Sequence, residues 1–155
     1  MRRSLCVIFW LLFQHRELLT MNPVEIIIEK LKQYPMTRFE AASDRISILP
    51  EKDGFSVSLS CTSNGFTVSY EGWHEHFKHA DDALNCFAFG LSDSCRLKIT
   101  SRGGHDYKWT VEAIEDAEWK EDWTTGLLFF KFWRRPQIRY LQNKLILDRK
   151  PKNHA

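Results

Sequence analysis

The sequence predicts an α+β fold, with a mainly antiparallel sheet of about six strands in hairpin order and two amphipathic helices expected on one face. Three observations lead to this prediction. Two long segments carry apolar residues at helical spacing, and several shorter segments alternate apolar with polar residues. Turn-forming pairs such as Asn64-Gly65 join the alternating segments two by two. A chain of 155 residues has the usual length of one domain, so a single core is expected.

The first helix is predicted to begin at Pro23. Asn22 can cap its free amide groups, and Glu25 stands where a capping box places its acidic residue. Proline suits the first helical position because the amide hydrogen that it lacks would have no partner within the helix. Pro35 is expected to stop the helix. The apolar stripe of this helix consists of Val24, Ile27, Ile28 and Leu31.

Residues 1–20 are expected to lie outside the fold, because a well-capped helix starts directly after Met21. The apolar run 5–13 is too short for a bilayer, which takes about 20 residues, and no small-x-small cleavage site follows it. A coding start drawn too early is the favoured interpretation, and a signal or anchor segment is the alternative. A single globular domain is then expected at 21–147, with a frayed basic tail at 148–155.

Cysteine usage indicates a cytoplasmic protein. The cysteines that follow Met21 are Cys61, Cys86 and Cys95. An odd number without CxxC spacing suits reduced thiols better than a disulfide framework. No transmembrane span is expected, and export or membrane association is the alternative if residues 1–20 are genuine.

The first predicted hairpin joins segments 55–61 and 66–70 through Asn64-Gly65, the strongest short hairpin signal in the chain. A two-residue loop at that pair sets Cys61 opposite Val68. In this register apolar side chains face apolar ones across the two strands, and serines face polar residues. The predicted register is therefore self-consistent.

The second predicted hairpin turns at Arg102-Gly103-Gly104. A three-residue loop there keeps the apolar side chains of both strands on one face, whereas a two-residue loop would set Ile99 against a lysine. The expected pairs are Leu97 with Trp109 and Ile99 with Tyr107.

Four further segments complete the prediction. Segment 80–92 predicts the second helix, and segment 118–123 predicts an exposed strand. Segment 126–133 is apolar almost throughout and predicts a strand buried on both faces. Segment 138–142 is compatible with strand or helix. The apolar stripe of the second helix consists of Leu84, Phe87, Ala88 and Leu91.

Three histidines in the motif GWHEHFKH form the most conspicuous candidate metal site. In a strand, His74 and His76 share a face, which is the spacing by which two imidazoles reach one metal ion. His79 could join them if the chain turns. The three residues therefore define an alternative hypothesis, a small metal-dependent enzyme.

The favoured interpretation of this segment is a solvent-facing strand end without metal. Trp73 and Phe77 alternate with the histidines and need burial more than the imidazoles do. A bulge at Gly72 would turn the two aromatic side chains inward and the histidines outward. No carboxylate-rich or cysteine-rich motif stands at a fixed spacing to supply further ligands.

Catalytic machinery is not predicted. The GLSDS segment lacks the G-x-S-x-G elbow, and Cys86 lies on the apolar side of a predicted helix. The SRGGH segment matches neither phosphate-loop consensus, and hairpin glycines explain it. We therefore expect no catalytic residue and no cofactor.

Charge is distributed unevenly along the chain. Residues 131–155 carry eight Lys or Arg and one Asp, a net charge of +7, which leaves −5 for residues 1–130. Six acids fall within 111–122 alone. Opposite charges of this size favour either internal pairing or attraction of a charged partner.

The segment FKFWRRPQIRY, residues 130–140, alternates aromatic with basic side chains and is the best candidate binding surface. Arginine and tryptophan are enriched in binding hot spots. The alternative is that these arginines pair with the acids of 111–122; the partner interpretation is favoured because Trp133 adjoins two arginines. The candidate binding residues are Lys131, Trp133, Arg134, Arg135 and Arg139.

The function expected from these observations is a small, soluble, non-catalytic binding or interaction module. Its partner is expected to be an acidic protein or another anionic molecule, with nucleic acid not excluded and the oligomeric state open. The metal-dependent enzyme built on His74, His76 and His79 is the second hypothesis. An exported or membrane-peripheral protein is the third, and it depends on residues 1–20.

Overall fold

The computed structural model describes residues 22–128 and 132–147, and within them the chain forms two helices and nine strands. The helices are α1 (Pro23–Leu31) and α2 (Ala80–Leu91). The first group of strands is β1 (Phe39–Ala41), β2 (Arg45–Ile48), β3 (Val57–Thr62), β4 (Gly65–Tyr70) and β5 (Trp73–Phe77). The second group is β6 (Cys95–Arg102), β7 (His105–Glu115), β8 (Glu118–Gly126) and β9 (Pro136–Leu141). The predictions for 1–20, Lys131 and 148–155 lie outside the described residues.

The strands form two antiparallel sheets, so the predicted α+β class is confirmed and the single six-stranded sheet is wrong. One sheet has the order β1-β2-β3-β4-β5 and the other β8-β7-β6-β9. Helix α2 stands between the two groups along the chain and packs against strands of both. Hairpin order predicts which neighbouring strands pair, but it does not say whether consecutive hairpins share a sheet. Strands β1 and β2 are three and four residues long, too short to show a clear alternation.

Helix α1 begins where the sequence predicts. Asn22 accepts a hydrogen bond from the Val24 amide at 3.0 Å, and Glu25 accepts one from the Asn22 amide, which completes the capping box. The buried residues of α1 are Val24, Ile26, Ile27 and Leu31. Ile26 thus takes the buried place expected for Ile28, which is only partly buried. The helix ends at Leu31, four residues before the predicted stop.

The first hairpin has the predicted strand faces but a register that differs by two residues. Cys61 lies opposite Phe66, not Val68, because the two loop residues are Ser63 and Asn64. The positive φ of the turn falls on Gly65, at +128°. Alternation repeats every two residues, so a shift of two leaves every side chain on its face and the sequence pattern cannot detect it.

The second hairpin shows the same kind of difference. Leu97 lies opposite Val111 and Ile99 opposite Trp109, so both predicted pairs are wrong. The loop is the two-residue pair Gly103-Gly104, and a bulge between Thr100 and Ser101 restores the faces that a two-residue loop would otherwise reverse. The bulge keeps the apolar side chains of both strands on one face, which the prediction had attributed to a three-residue loop.

One apolar core joins the two sheets and the helices. Tyr70 of β4 is fully buried and stacks on Trp73 of β5, with ring centroids 4.7 Å apart. Trp73 in turn lies 6.2 Å from the ring of Trp123 in β8, which connects the two sheets. The predicted stripe of α2 is confirmed by the burial of Leu84, Phe87, Ala88 and Leu91.

The predicted buried strand at 126–133 is wrong in its described part. Leu127 and Leu128 follow the end of β8 and are 54% and 91% exposed. Phe132 and Trp133 belong to a turn and are also exposed, while residues 129–131 lie outside the described residues. An apolar run indicates burial only when the chain finds a place in the core, and here the core is already filled from β6, β7 and β8. Segment 138–142 belongs largely to strand β9.

Candidate functional site

The histidine segment forms β5, and its side chains point as the favoured interpretation predicts. A two-residue turn, Glu71-Gly72, pairs Tyr70 with Trp73, so the reversal comes from a tight turn instead of a bulge. Trp73 and Phe77 are buried on the core face. His74 and His76 are exposed on the other face.

The three histidines have separate surroundings. The His76 ring lies within hydrogen-bond distance of Thr67 Oγ1, at 3.3 Å, and of the Asn64 carbonyl oxygen, at 3.2 Å, both on the neighbouring hairpin strand and its turn. His79 is the N-terminal cap position of α2. Within residues 22–128 and 132–147, no three side chains of His, Cys, Asp or Glu are grouped as a metal site requires. The metal-enzyme hypothesis therefore gains no support from the geometry.

The connection between β8 and β9 is held in place by Arg102 of β6. The guanidinium donates hydrogen bonds to the carbonyl oxygens of Phe132, at 2.6 Å, and Arg134, at 2.7 Å. Arg102 also lies beside Tyr107, whose carbonyl accepts a hydrogen bond from the Leu127 amide. Both ends of the connection are thus tied to the β6–β7 hairpin.

Residues 132–135, which we term the basic-aromatic loop, present their side chains to solvent. Phe132 and Trp133 are 73% and 66% exposed and contact each other edge to face, with centroids 5.1 Å apart. Arg134 and Arg135 are exposed as well. Among the described residues neither arginine forms an ion pair. The loop therefore offers two rings and two guanidinium groups on a backbone that Arg102 fixes.

Arg139, predicted to belong to the same surface, is engaged in an internal ion pair. Its two terminal nitrogens donate to the two carboxylate oxygens of Asp106, each at 2.6 Å. This hydrogen-bonded pair holds the pKa of Asp106 below its ordinary value and raises the pKa of Arg139. The structure thus separates Arg139 from Arg134 and Arg135 in role.

Three acids of segment 111–122, Glu112, Glu115 and Glu121, form ion pairs with lysine or arginine residues of β6 and β8. Glu112 is buried and pairs with Arg96 at 2.5 Å and with Lys98 at 3.7 Å. Lys98 also pairs with Glu121 at 2.8 Å, and this contact lowers the pKa of Glu121. No described ion pair links this segment to Arg134 or Arg135.

Arg96 is the residue that the sequence analysis missed. Its guanidinium carbon lies 4.4 Å from the ring centroid of Trp119 in β8 and 4.3 Å from that of Tyr140 in β9. Because β8 and β9 stand on opposite sides of β6 in the sheet, the two rings flank the guanidinium. The alternation in CRLKIT signals a charged face at Arg96 and Lys98, but no local pattern brings rings from two distant strands to it.

The described cysteines lie outside any disulfide. Cys86 and Cys95 are buried as reduced thiols. Burial raises the pKa of Cys95 well above its ordinary value, which disfavours the thiolate form that reacts as a nucleophile. The pKa of the partly buried Cys61 is raised too, by burial and by Asp44.

Comparisons with known proteins leave the site to be interpreted from its own geometry. The chain matches no protein-family model. No curated protein and no solved structure matches it either. None of the described helices is both long enough and apolar enough to cross a bilayer.

Proposed function

We propose that the protein is a non-catalytic binding module that holds an acidic segment of a partner protein on the basic-aromatic loop. One observation carries the proposal. Arg102 fixes the carbonyl oxygens of Phe132 and Arg134 while the side chains of the loop remain exposed and without ion pairs among the described residues. A backbone fixed in this way lowers the entropy that ordering a binding loop would cost.

Exposure of the two rings is the feature that ordinary folding does not explain. Burying a large aromatic side chain stabilises a protein by about 1.5–3 kcal/mol, and Phe132 and Trp133 forgo most of that gain. Contiguous exposed apolar groups with charged neighbours are typical of interaction surfaces. Tryptophan and arginine are also the residue types that contribute most to binding hot spots.

Charge complementarity selects an acidic partner. Arg134 and Arg135 present two positive charges that no described acid neutralises. A nucleic acid duplex would require a broader basic face, because its affinity comes from many phosphate contacts. The basic-aromatic loop offers only Arg134 and Arg135 as described cations without an ion pair. An acidic protein segment is therefore the favoured occupant.

The test uses the full chain and a short peptide of alternating glutamate and leucine, followed by amide chemical-shift mapping. We expect the largest shifts at residues 132–135 and weaker binding as salt rises. Arg134→Glu/Arg135→Glu should abolish binding and leave the melting temperature unchanged. The control variant Arg45→Glu/Lys78→Glu reverses two exposed charges outside the basic-aromatic loop. Its affinity for the peptide should be closer to the wild-type value than that of Arg134→Glu/Arg135→Glu.

Two results would contradict the proposal. The first is an Arg134→Glu/Arg135→Glu protein that melts earlier but binds the peptide normally, because it would assign the arginines a structural role. The second is saturable binding of single-stranded oligothymidylate at the same loop without binding of the peptide, which would indicate a nucleic acid partner.

Trp133→Ala should weaken peptide binding by about 2 kcal/mol if Trp133 is a hot spot.

A further inference from the structure

We propose that a cleft at the far end of β9 binds a small organic molecule that carries a phosphate group. The cleft adjoins Tyr140 and residues 142–145, whereas the basic-aromatic loop precedes Pro136. Pro136 and Tyr140 are four residues apart along β9, roughly 13 Å, and this stretch of strand separates the two places. The cleft is therefore a second site, and the proposal does not depend on the function of the loop.

The cleft lies where the two sheets meet. Its walls are the connection between β2 and β3 at residues 49–54, the start of β6, and the segment 142–145. Its volume is about 610 Å³. Sites for small molecules commonly measure about 300–1,000 Å³, so the cleft has room for an organic ligand.

The wall is tied together by Asn143. Its side-chain oxygen accepts a hydrogen bond from the Phe55 amide at 3.2 Å. Its side-chain nitrogen donates to the carbonyl oxygens of Phe55, at 3.0 Å, and Gly90, at 2.9 Å. The Gln142 amide also donates to the Asp53 carbonyl oxygen at 2.9 Å. These bonds hold residues 142–145 against the 49–54 connection, so the cleft is built into the fold.

Arg96 supplies a positioned anion-binding group. Glu112 accepts a hydrogen bond from Arg96 Nε, and Trp119 and Tyr140 flank the guanidinium plane. The two terminal nitrogens of Arg96 make no hydrogen bond within the described part of the chain. A planar guanidinium held at Nε by Glu112 and packed against two rings can offer those nitrogens to two oxygens of a phosphate.

The charge of the cleft fits a dianion. The charged residues that line it are Arg38, Lys52, Arg96 and Lys144, against Glu51 and Asp53, which gives a net charge of +2, or +1 when Glu112, the ion-pair partner of Arg96 behind the lining, is counted. Lys52 and Lys144 are exposed and form no ion pair among the described residues. A phosphate monoester carries about −1.5 to −2 at neutral pH and has three acceptor oxygens. Its negative charge suits a cleft of net positive charge, and its three acceptor oxygens can be shared among Lys52, Arg96 and Lys144.

Apolar groups beside the cations favour an organic ligand over a bare ion. Ile48 and Leu91 form the buried floor of the cleft, and the rings of Trp119 and Tyr140 are the apolar groups that remain open at its wall. The Tyr140 ring is 48% exposed, and an inorganic anion would leave it in water. A ligand whose phosphate meets Arg96 and whose carbon skeleton packs on the Tyr140 ring would use both kinds of wall.

The test titrates phenyl phosphate, inorganic phosphate, pyrophosphate and citrate into the full chain at physiological salt, with amide chemical shifts as the readout. We expect saturable shifts at residues 51–54 and 142–145 with all three phosphates, tighter binding of phenyl phosphate than of inorganic phosphate, and tighter binding of pyrophosphate than of citrate. Lys52→Gln/Lys144→Gln should weaken pyrophosphate binding about tenfold or more, because two charged donors are lost. Both lysines are exposed, so this variant should fold normally.

Control variants separate the cleft from general surface charge. Lys30→Gln/Lys78→Gln removes two lysines that do not line the cleft and should leave pyrophosphate binding within about twofold. Arg134→Glu/Arg135→Glu should have the same small effect, because the basic-aromatic loop lies at the other end of β9. Equal weakening by the control pair, binding of citrate as tight as that of pyrophosphate, or shifts outside the cleft would overturn the proposal.

Discussion

Gly90, near the end of α2, is the position at which helix propensity and core packing make opposite predictions. A Cβ atom added to Gly90 would lie 2.6 Å from Tyr70 Cζ and 2.9 Å from the Tyr70 hydroxyl oxygen. Such approaches are shorter than van der Waals contact, so a neighbouring group must move. Tyr70 cannot move freely, because its ring packs between Phe55, at 5.4 Å, and Trp73, at 4.7 Å, and its hydroxyl donates to the Cys86 carbonyl oxygen.

We expect Gly90→Ala to lower the free energy of unfolding by about 1–2 kcal/mol. Alanine gains about 1 kcal/mol over glycine in a helix interior, which would stabilise the protein if the site were open. Overpacking a closed core costs about 1–3 kcal/mol. Because neighbouring groups hold Tyr70 in place, we expect a cost near the upper end of that range. The packing penalty therefore exceeds the propensity gain.

A double-mutant cycle isolates the contact. Tyr70→Leu removes the ring atoms that the new methyl group would meet, so Gly90→Ala should then be neutral or stabilising by up to about 1 kcal/mol. Urea unfolding followed by tryptophan fluorescence measures all four proteins. Stabilisation by Gly90→Ala alone, or effects of the two changes that add within about 0.5 kcal/mol, would refute the reasoning.

Two further predictions concern residues that join distant parts of the chain. Asn143→Ala leaves backbone groups of Phe55 and Gly90 without their partner and should lower the free energy of unfolding by about 1–3 kcal/mol in urea melts, whereas a change below about 0.5 kcal/mol would contradict this role. Arg139→Gln removes the ion pair that lowers the pKa of Asp106, so the variant should be less stable at neutral pH by about 0.2–1 kcal/mol. Because the folded state holds Asp106 ionised, this stabilisation is present above the ordinary aspartate pKa and disappears as the pH falls through the lowered value; a pH-independent difference between the two proteins would be the contrary result.

The sequence was sufficient to predict which side chains of a strand face the core, but not which residues pair across neighbouring strands. Trp73 and Phe77 are buried and His74 and His76 exposed, as the burial preferences of those residue types indicate. The opposite neighbour of Cys61 was predicted wrongly, because alternation has a period of two and is blind to a shift of two residues. Turn geometry decides between such registers, and in this hairpin the turn lies one residue before the Asn-Gly pair.

The candidate sites divide in the same way. Local composition was sufficient to single out Trp133, Arg134 and Arg135, because aromatic and basic residues are contiguous there. Arg139 belongs to the same short segment, yet Asp106, 33 residues away in sequence, engages it. No local pattern contains that partner, so the sequence could not separate Arg139 from its neighbours.

The sequence by itself determined the features that depend on contacts within a few residues: the capped start of α1, the apolar stripe of α2, and the outward face of the histidines. Only the tertiary structure decided how the strands divide into two sheets and which distant side chains meet. Arg96, Trp119 and Tyr140 come from three strands, and their meeting follows from the sheet order β8-β7-β6-β9. Hydrogen bonds and packing between strands far apart in sequence set that order, and a local period of apolar residues carries no information about them.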